Sequence, residues 1–215
     1  PVILTEETIS TLLAGGDEAD KLTREIQERE GHKTRIAQLQ RTYQKAMIAN
    51  DLAKMVAARD ELGTLVPDAD YLPAMNLDIL LAGKDWVAAE AFLNQTEAPK
   101  VAAMYARKIS FKIDTIQDGI APSLRESMIA KIKGTSKLQV LDRPIIARIQ
   151  WDLGLKDAAL ATARESVEKD PNLPEEVMAA FVAGFEPGGT PQTFSDFQKS
   201  LSGFHRKKRE AEAAK

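Results

Sequence analysis

The stretch IQWDLGLKDAALATARESVEKDP, from Ile149 to Pro171, decides the fold of this chain. One helical pattern ends at Leu153-Gly154, a short turn follows, and a second helical pattern runs to Lys169. The second helix carries small side chains at Ala159, Ala163 and Ser166. Small residues at this spacing let two antiparallel helices approach closely, and a proline after the last turn cannot continue the helix. The stretch therefore predicts a helical hairpin.

The composition limits the chemistry that the chain can carry. It has 215 residues, 28% of them charged, a formal net charge of -3 and no cysteine. Without cysteine it has no disulfide, thiolate nucleophile or cysteine-ligated metal of its own. The small net charge gives no general electrostatic reason to bind nucleic acid, and no apolar run reaches the roughly 18 residues of a membrane span. We therefore expect neither a nucleic-acid partner nor a membrane span.

The compartment stays open at this point. The chain shows no signal peptide, but it begins at Pro1 without a methionine, so the missing signal does not exclude export. A cytoplasmic and a periplasmic location are both compatible with the sequence, and the oligomeric state is equally open.

The turns of the chain recur at a nearly constant spacing. Asn50 and Lys84 occupy equivalent turn positions 34 residues apart, and Asp118-Gly119 and Gly154 follow at about the same interval. A fixed period near 34 with two helices per unit is typical of stacked helical hairpins. The spacing predicts four hairpins, at about 36–69, 70–103, 104–139 and 140–173.

The segments on either side of residues 32–173 carry different patterns. Residues 1–31 begin with a helix capped by Thr5 and continue as a charged helix from Asp17 to Glu30, which Gly31 is expected to interrupt or bend. Residues 174–204 are rich in phenylalanine, and we expect them to form two helices that cap the end of the stack. Residues 205–215 are predicted to be a charged tail that forms a frayed helix.

The hairpins resemble tetratricopeptide repeats. In the fourth hairpin, Ala159 and Pro171 stand where that family has its small packing residue and its closing proline. In the second, Lys84-Asp85-Trp86 followed by Ala89 and Leu93 is similar to the family's Gly-Asp-Tyr turn with its small and large residues. The resemblance implies an all-α fold, a right-handed superhelix of stacked hairpins.

Two hairpins depart from the family pattern. The first ends at Pro67 but has Met55 where the family has alanine. The third has Ser123 and Ser127 at its packing positions and lacks the closing proline. A generic α–α repeat with the same packing is therefore the alternative to a tetratricopeptide array.

The same resemblance implies a binding surface. In tetratricopeptide arrays the first helix of each unit lines a concave groove that holds an extended peptide or a helix, so the implied partner is a protein or peptide. The groove residues that it implies are Gln40, Arg41, Gln44, Tyr71, Asp78, Tyr105, Lys108, Lys112, Arg148 and Trp151.

Three cations in this set could bind a carboxylate or an acidic peptide. Lys108 and Lys112 are one helical turn apart, and with Arg148 they offer charge-assisted hydrogen bonds. In the alternative interpretation Tyr105 belongs to the core and the lysines form a solvated face. The paired asparagines of the family's carboxylate-clamp members are missing.

A second resemblance concerns the beginning of the chain. Residues Pro1 to Gly15 are similar to the last stretch of some bacterial thioredoxin-fold proteins, where an acidic-capped helix ends in Leu-Ala-Gly. This resemblance implies that the chain is the C-terminal helical part of an exported thiol–disulfide protein. The Cys-x-x-Cys centre of that family is not in this chain, so no redox residue is carried over.

No constellation of residues indicates catalysis. The two histidines, His32 and His205, lack acidic neighbours at ligand spacing, so we predict no metal site. Adjacent acidic residues on a helix diverge by about 100°, and the pairs here stand in first turns, where the helix dipole favours negative charge. The basic run 206–209 is interpreted as a solubilising helix end. We expect no enzyme activity and no cofactor.

Overall fold

A computed structural model describes residues 5–114, 116, 119–170 and 172–213 of the protein. Within these residues it contains eleven α-helices and no β-strand, which confirms the all-α fold class. The predicted turn residue Asp118, the closing proline Pro171 and the first residues 1–4 lie outside the described part. The chain divides into two compact units, one up to Gly83 and one from Lys84 onward, and each is described by itself.

Unit 1 consists of four helices, which are α1 Glu6–Ala14, α2 Asp17–Ile48, α3 Leu52–Leu65 and α4 Leu72–Ala82. The C-terminal part of α2 packs against α3, and α3 packs against α4. The core of the unit includes Leu39, Tyr43, Met55, Leu62 and Met75, and the hydroxyl of Tyr43 donates to the carbonyl oxygen of Met75 at 3.0 Å. The core therefore joins α2 to α3 around the turn at Asn50 and also joins α2 to α4.

The expected interruption at Gly31 is wrong. One helix of 32 residues, α2, passes through Gly31 without a break. A single glycine costs a helix interior only about 1 kcal/mol, which many backbone hydrogen bonds on both sides offset. Three acidic residues in the first turn further favour the N-terminal part by complementing the helix dipole.

Unit 2 consists of seven helices, which are α5 Trp86–Gln95, α6 Pro99–Ile113, α7 Pro122–Lys133, α8 Asp142–Asp152, α9 Lys156–Lys169, α10 Glu175–Ala183 and α11 Phe194–Ala213. Helix α8 contacts α6, α7, α9 and α11. Most of its side chains are buried, including Ile145, Ile146 and Ile149. It is therefore the centre around which the unit packs.

The packing register of the third hairpin differs from the prediction. Ser123 is exposed and bonds to Glu90, and Ser127 is half-buried. The positions that face the interior are Leu124 and Met128, both 0% exposed. The physical reason is that burying a leucine or methionine side chain is favourable by about 1.5–3 kcal/mol, which a serine cannot match.

Aromatic side chains bring α10 and α11 together. Phe181 packs against Phe185 and Phe197, with ring centroids 4.9 Å and 4.6 Å apart, and Phe194 lies 5.9 Å from Phe197. Helix α11 begins after Thr193, whose hydroxyl accepts the amide hydrogen of Asp196. It then continues to Ala213, so the charged tail is helical, as expected, as far as the structure describes it.

We expect Leu124→Ala to lower the free energy of unfolding of unit 2 by about 2–5 kcal/mol, because it removes a fully buried side chain. Ser123→Ala is the matched control and should cost less than about 0.5 kcal/mol, the range of exposed sites. Urea titration followed by tryptophan fluorescence measures both, since Trp86 and Trp151 both lie in unit 2. Equal costs for the two variants would contradict the packing register.

Candidate peptide-binding surface

Helix α6 has two faces of different character. Pro99 opens it at the first turn, and Lys112 lies in its last turn, where a cation complements the helix dipole. Its inner face is made of small and branched apolar residues that pack toward α7 and α8. The fully buried members of that face are Ala103, Ala106 and Ile109.

The outer face of α6 also carries apolar side chains. Val101, Met104 and Phe111 are 38%, 49% and 42% exposed. They are spaced three and seven residues apart, so they project from one side of the helix. Lys108 lies among them and is half-buried, and Lys112 borders them and is exposed. We call Val101, Met104, Lys108, Phe111 and Lys112 the α6 stripe.

The predicted groove residues of unit 2 separate into different environments. Tyr105 is buried and stacks on Phe92 at 5.2 Å between ring centroids, as the core interpretation expected. Trp151 is half-buried, with its ring 5.8 Å from that of Phe185 and with the ammonium of Lys156 4.8 Å above it. Among the groove residues predicted in unit 2, Lys108 and Lys112 share one surface.

The predicted groove residues of unit 1 lie on α2, at the start of α4 and along α4. Arg41 and Gln44 are exposed, and Gln40 is half-buried. Tyr71 precedes the first turn of α4, and Asp78 lies within α4; both are half-buried. The assignment of these five residues to a binding groove remains a prediction.

Arg148 is engaged inside unit 2. Its guanidinium donates to the carbonyl oxygens of Pro191 and Gln192 at 2.8 Å and 3.3 Å and lies 3.4 Å from the carboxylate of Asp152. A ligand carboxylate would therefore have to displace these partners. The side chain holds the segment before α11 against α8.

Asp114, at the end of α6, also anchors the start of α11. Its carboxylate is buried at the C-terminal end of α6 and accepts the amide hydrogens of Phe194 and Ser195 at 2.5 Å and 3.2 Å. Burial raises the pKa of the Asp114 carboxyl above its ordinary value. The two amide hydrogen bonds and the charge of Arg148 act in the opposite direction. Next to it, the ring of Phe194 stacks edge-on against Phe111 of the α6 stripe, at 4.6 Å.

Unit 1 contains an open cleft of about 530 Å³ between the end of α3 and the start of α4. Its polar lining comprises Arg59, Asp60, Thr64, Asp68, Asp70 and Asn76. The guanidinium of Arg59 donates to the side-chain oxygen of Asn76 and lies 2.8 Å from the carboxylate of Asp60. The sequence reasoning missed this cleft because its residues come from a loop and two helix ends.

Among the described residues, no group of three or more His, Asp or Glu side chains is placed to hold a metal ion. No helix in the described part combines the length and the apolar character needed to cross a bilayer.

Comparison of the chain with protein-family models, with curated proteins and with solved structures found no match.

The stability of unit 2 should depend on pH through Asp114. A carboxyl whose folded pKa is raised contributes stability that is present below the unfolded pKa and is lost as pH rises through the folded pKa. The wild type should therefore gain stability relative to Asp114→Asn as pH falls from about 7 to about 4, toward the ordinary carboxyl range.

The measurement is the free energy of unfolding of both proteins at each pH, by urea titration. The difference between them isolates Asp114, because the other carboxyls titrate in both proteins. If the wild type loses stability relative to Asp114→Asn as the pH falls, the pKa of Asp114 in the folded protein is lowered and the prediction is wrong.

Proposed function

We propose that this chain is a non-enzymatic helical-repeat scaffold that binds a segment of another protein. The observation that carries the proposal is the α6 stripe, where three large apolar side chains are 38–49% exposed on one face of a helix whose opposite face is already packed. Exposed apolar residues that form a contiguous patch are typical of interaction surfaces, whereas single ones are ordinary.

The backbone supports a repeat of tetratricopeptide type. Asn50, Lys84, Gly119 and Gly154 all adopt positive φ, at 53°, 57°, 80° and 78°. They stand 34 or 35 residues apart, at the turns that the sequence spacing predicted. Non-glycine residues rarely adopt positive φ, so its recurrence at Asn50 and Lys84 marks equivalent turns.

Side chains after these turns repeat as well. Asp51 and Asp85 cap their helices by accepting the amide hydrogens of Lys54 and Ala88. Four residues at the same interval are at most 1% exposed, namely Met55, Ala89, Leu124 and Ala159. This regularity supports successive hairpins built on one plan, which we propose to be stacked as in a right-handed superhelix.

The second candidate is a helical appendage of an exported thioredoxin-like protein. What favours it is the local geometry of α1, which begins behind the cap Thr5 and ends at Ala14 before Gly15, as the resemblance implies. This candidate predicts that the gene encodes a Cys-x-x-Cys thioredoxin fold just upstream of Pro1. Sequencing the gene tests it, and any other upstream sequence would remove it.

The scaffold proposal is tested by selecting helical peptides from a displayed library on the wild-type protein and measuring their affinity for variants. Met104→Glu should weaken the selected peptides by tenfold or more, because a carboxylate in an apolar contact is desolvated without a partner. Val167→Glu is the matched control, since Val167 is 41% exposed on α9, away from the stripe.

Both substitutions are at exposed sites, so circular dichroism and melting temperature should stay close to those of the wild type. If the selected peptides bind Met104→Glu as tightly as Val167→Glu, the α6 stripe is not the binding surface.

A further inference from the structure

We infer that one buried water molecule bridges Asp114 and Arg148 in unit 2. The water contacts the Oδ1 atom of the Asp114 carboxylate and the Nε atom of the Arg148 guanidinium, which lie 3.9 Å apart. Both side chains also hold the start of α11. The bridge therefore concerns how α11 is attached to α6 and α8, and it does not depend on what the α6 stripe binds.

One oxygen of the Asp114 carboxylate has hydrogen-bond partners, and the other has none among the described residues. Oδ2 accepts the amide hydrogens of Phe194 and Ser195. Oδ1 is buried without a donor, and the whole side chain is only 4% exposed. A buried carboxylate oxygen is costly unless it accepts a hydrogen bond. Oδ1 therefore requires a donor that the described side chains do not supply.

The Arg148 guanidinium has a matching gap. Nη1 donates to the carbonyl oxygens of Pro191 and Gln192, and Nη2 lies 3.4 Å from the Asp152 carboxylate. Nε is buried and donates to no described residue. Because the guanidinium is planar and its N–H directions are fixed, Nε cannot move to Oδ1 without pulling Nη1 and Nη2 from their partners. An unused donor and an unused acceptor thus lie side by side.

The separation of these two atoms and the space beside them fit one water molecule. A direct N–H···O hydrogen bond is about 2.7–3.2 Å long, so the 3.9 Å between Nε and Oδ1 is too long for one. Polar atoms more than about 3.5 Å apart are commonly joined through water. A cavity of about 10 Å³ lies beside both side chains, and a single buried water needs about 10–15 Å³. The cavity has no room for a larger ligand.

The cavity can also accept the second hydrogen of the water. Buried waters typically make about three hydrogen bonds, and Ser110 and Asp152 line the cavity as well. The hydroxyl of Ser110 donates to the carbonyl oxygen of Ala106 at 2.7 Å, which leaves the hydroxyl oxygen able to accept. The water therefore accepts from Nε, donates to Oδ1 and donates again to Ser110 or Asp152.

A cation or a dry cavity fits these atoms less well than water. A cation would lie beside the positive charge of the Arg148 guanidinium, and like charges at such short range repel each other. It would also offer no acceptor to Nε. A dry cavity would leave a buried donor and a buried acceptor without hydrogen bonds. Water satisfies both atoms, because it accepts one hydrogen bond and donates another.

The bridge lies where three helices meet. Asp114 follows the last turn of α6, Arg148 belongs to α8, and both bind the backbone at the start of α11. The water gives these two side chains the hydrogen-bonded link that they lack. Phe194 lines the same cavity and packs edge-on against Phe111 of the α6 stripe. The water therefore supports the position of α11 beside that surface.

The first test is NMR of the full chain, measuring magnetisation transfer from water to the Nε–H groups of arginine. Arg148 should receive transfer from a long-lived water. Arg107 is the matched control in the same spectrum, because its side chain is 16% exposed against 14% for Arg148. Its Nε donates directly to the Asp142 carboxylate at 2.6 Å, so it should show no such transfer.

The second test is a crystal structure of the full chain at a resolution that shows ordered waters. A water peak should lie about 2.6–3.2 Å from both Nε and Oδ1. Arg148→Lys keeps the positive charge but places no donor at the position of Nε, so its crystal structure should lose this water. Arg164→Lys is the matched control, since Arg164 pairs with Glu186 at an exposed site, and it should keep the water.

Four results would overturn the inference. They are a direct hydrogen bond between Nε and Oδ1 in the wild type, a cavity without electron density, a water retained in Arg148→Lys, and an anomalous peak at the site in crystals grown with rubidium chloride. The last of these would assign the cavity to a monovalent cation. The wild-type structure decides the question even if Arg148→Lys does not fold.

These outcomes are separate from those of the proposed function. The α6 stripe can bind a peptide whether or not the water is present, and the water can be present in a protein whose stripe binds nothing.

Discussion

The ion pair between Asp142 and Arg107 is the interaction on which the packing of unit 2 depends. Asp142 is 0% exposed, and its carboxylate accepts two hydrogen bonds from the Arg107 guanidinium and a third from the amide of Gln139. Removing one partner of a buried pair leaves an uncompensated charge, which costs about 3–5 kcal/mol. The pair therefore fixes α6 against the first turn of α8.

The orientation of α6 determines what the protein presents to its surroundings. Because Arg107 must reach Asp142, the neighbouring Ala106 and Ile109 are directed into the core and Met104, Lys108 and Phe111 to the opposite side. The sequence makes that opposite side both cationic and apolar. The charged side chains of such a surface stay hydrated. Covering its apolar part with a partner is nevertheless favourable.

The turns could be predicted from sequence, but the packing of the third hairpin could not. Asn50, Lys84 and Gly154 follow helix ends at a regular interval, and the following Asp51 and Asp85 are strong capping residues, so the local signals agree. The register of α7 depends instead on which side chains gain most from burial. The resemblance to tetratricopeptide repeats predicted Ser123 as a packing position, whereas the side chain buried there is Leu124.

The candidate site was only partly accessible to sequence reasoning for a similar reason. Lys108 and Lys112 share a helix face by spacing alone, and this much was predictable. Asp152 lies one helical turn from Arg148, but the other partners of Arg148 are the carbonyl oxygens of Pro191 and Gln192, more than 40 residues away, and no local sequence pattern predicts them. The exposed positions of Met104 and Phe111 could have been predicted, because their spacing places them on a second apolar face of α6, opposite the buried one.

The unbroken course of α2 has a geometric consequence for unit 1. Its first ion pair with α3 is made by Arg35 with Glu61, eighteen residues after the helix begins at Asp17. At 1.5 Å per residue, the start of α2 and the α1 helix packed on it stand about 27 Å along the axis from that pair. The length of α2 thus sets the distance between whatever α1 contacts and the core of the unit.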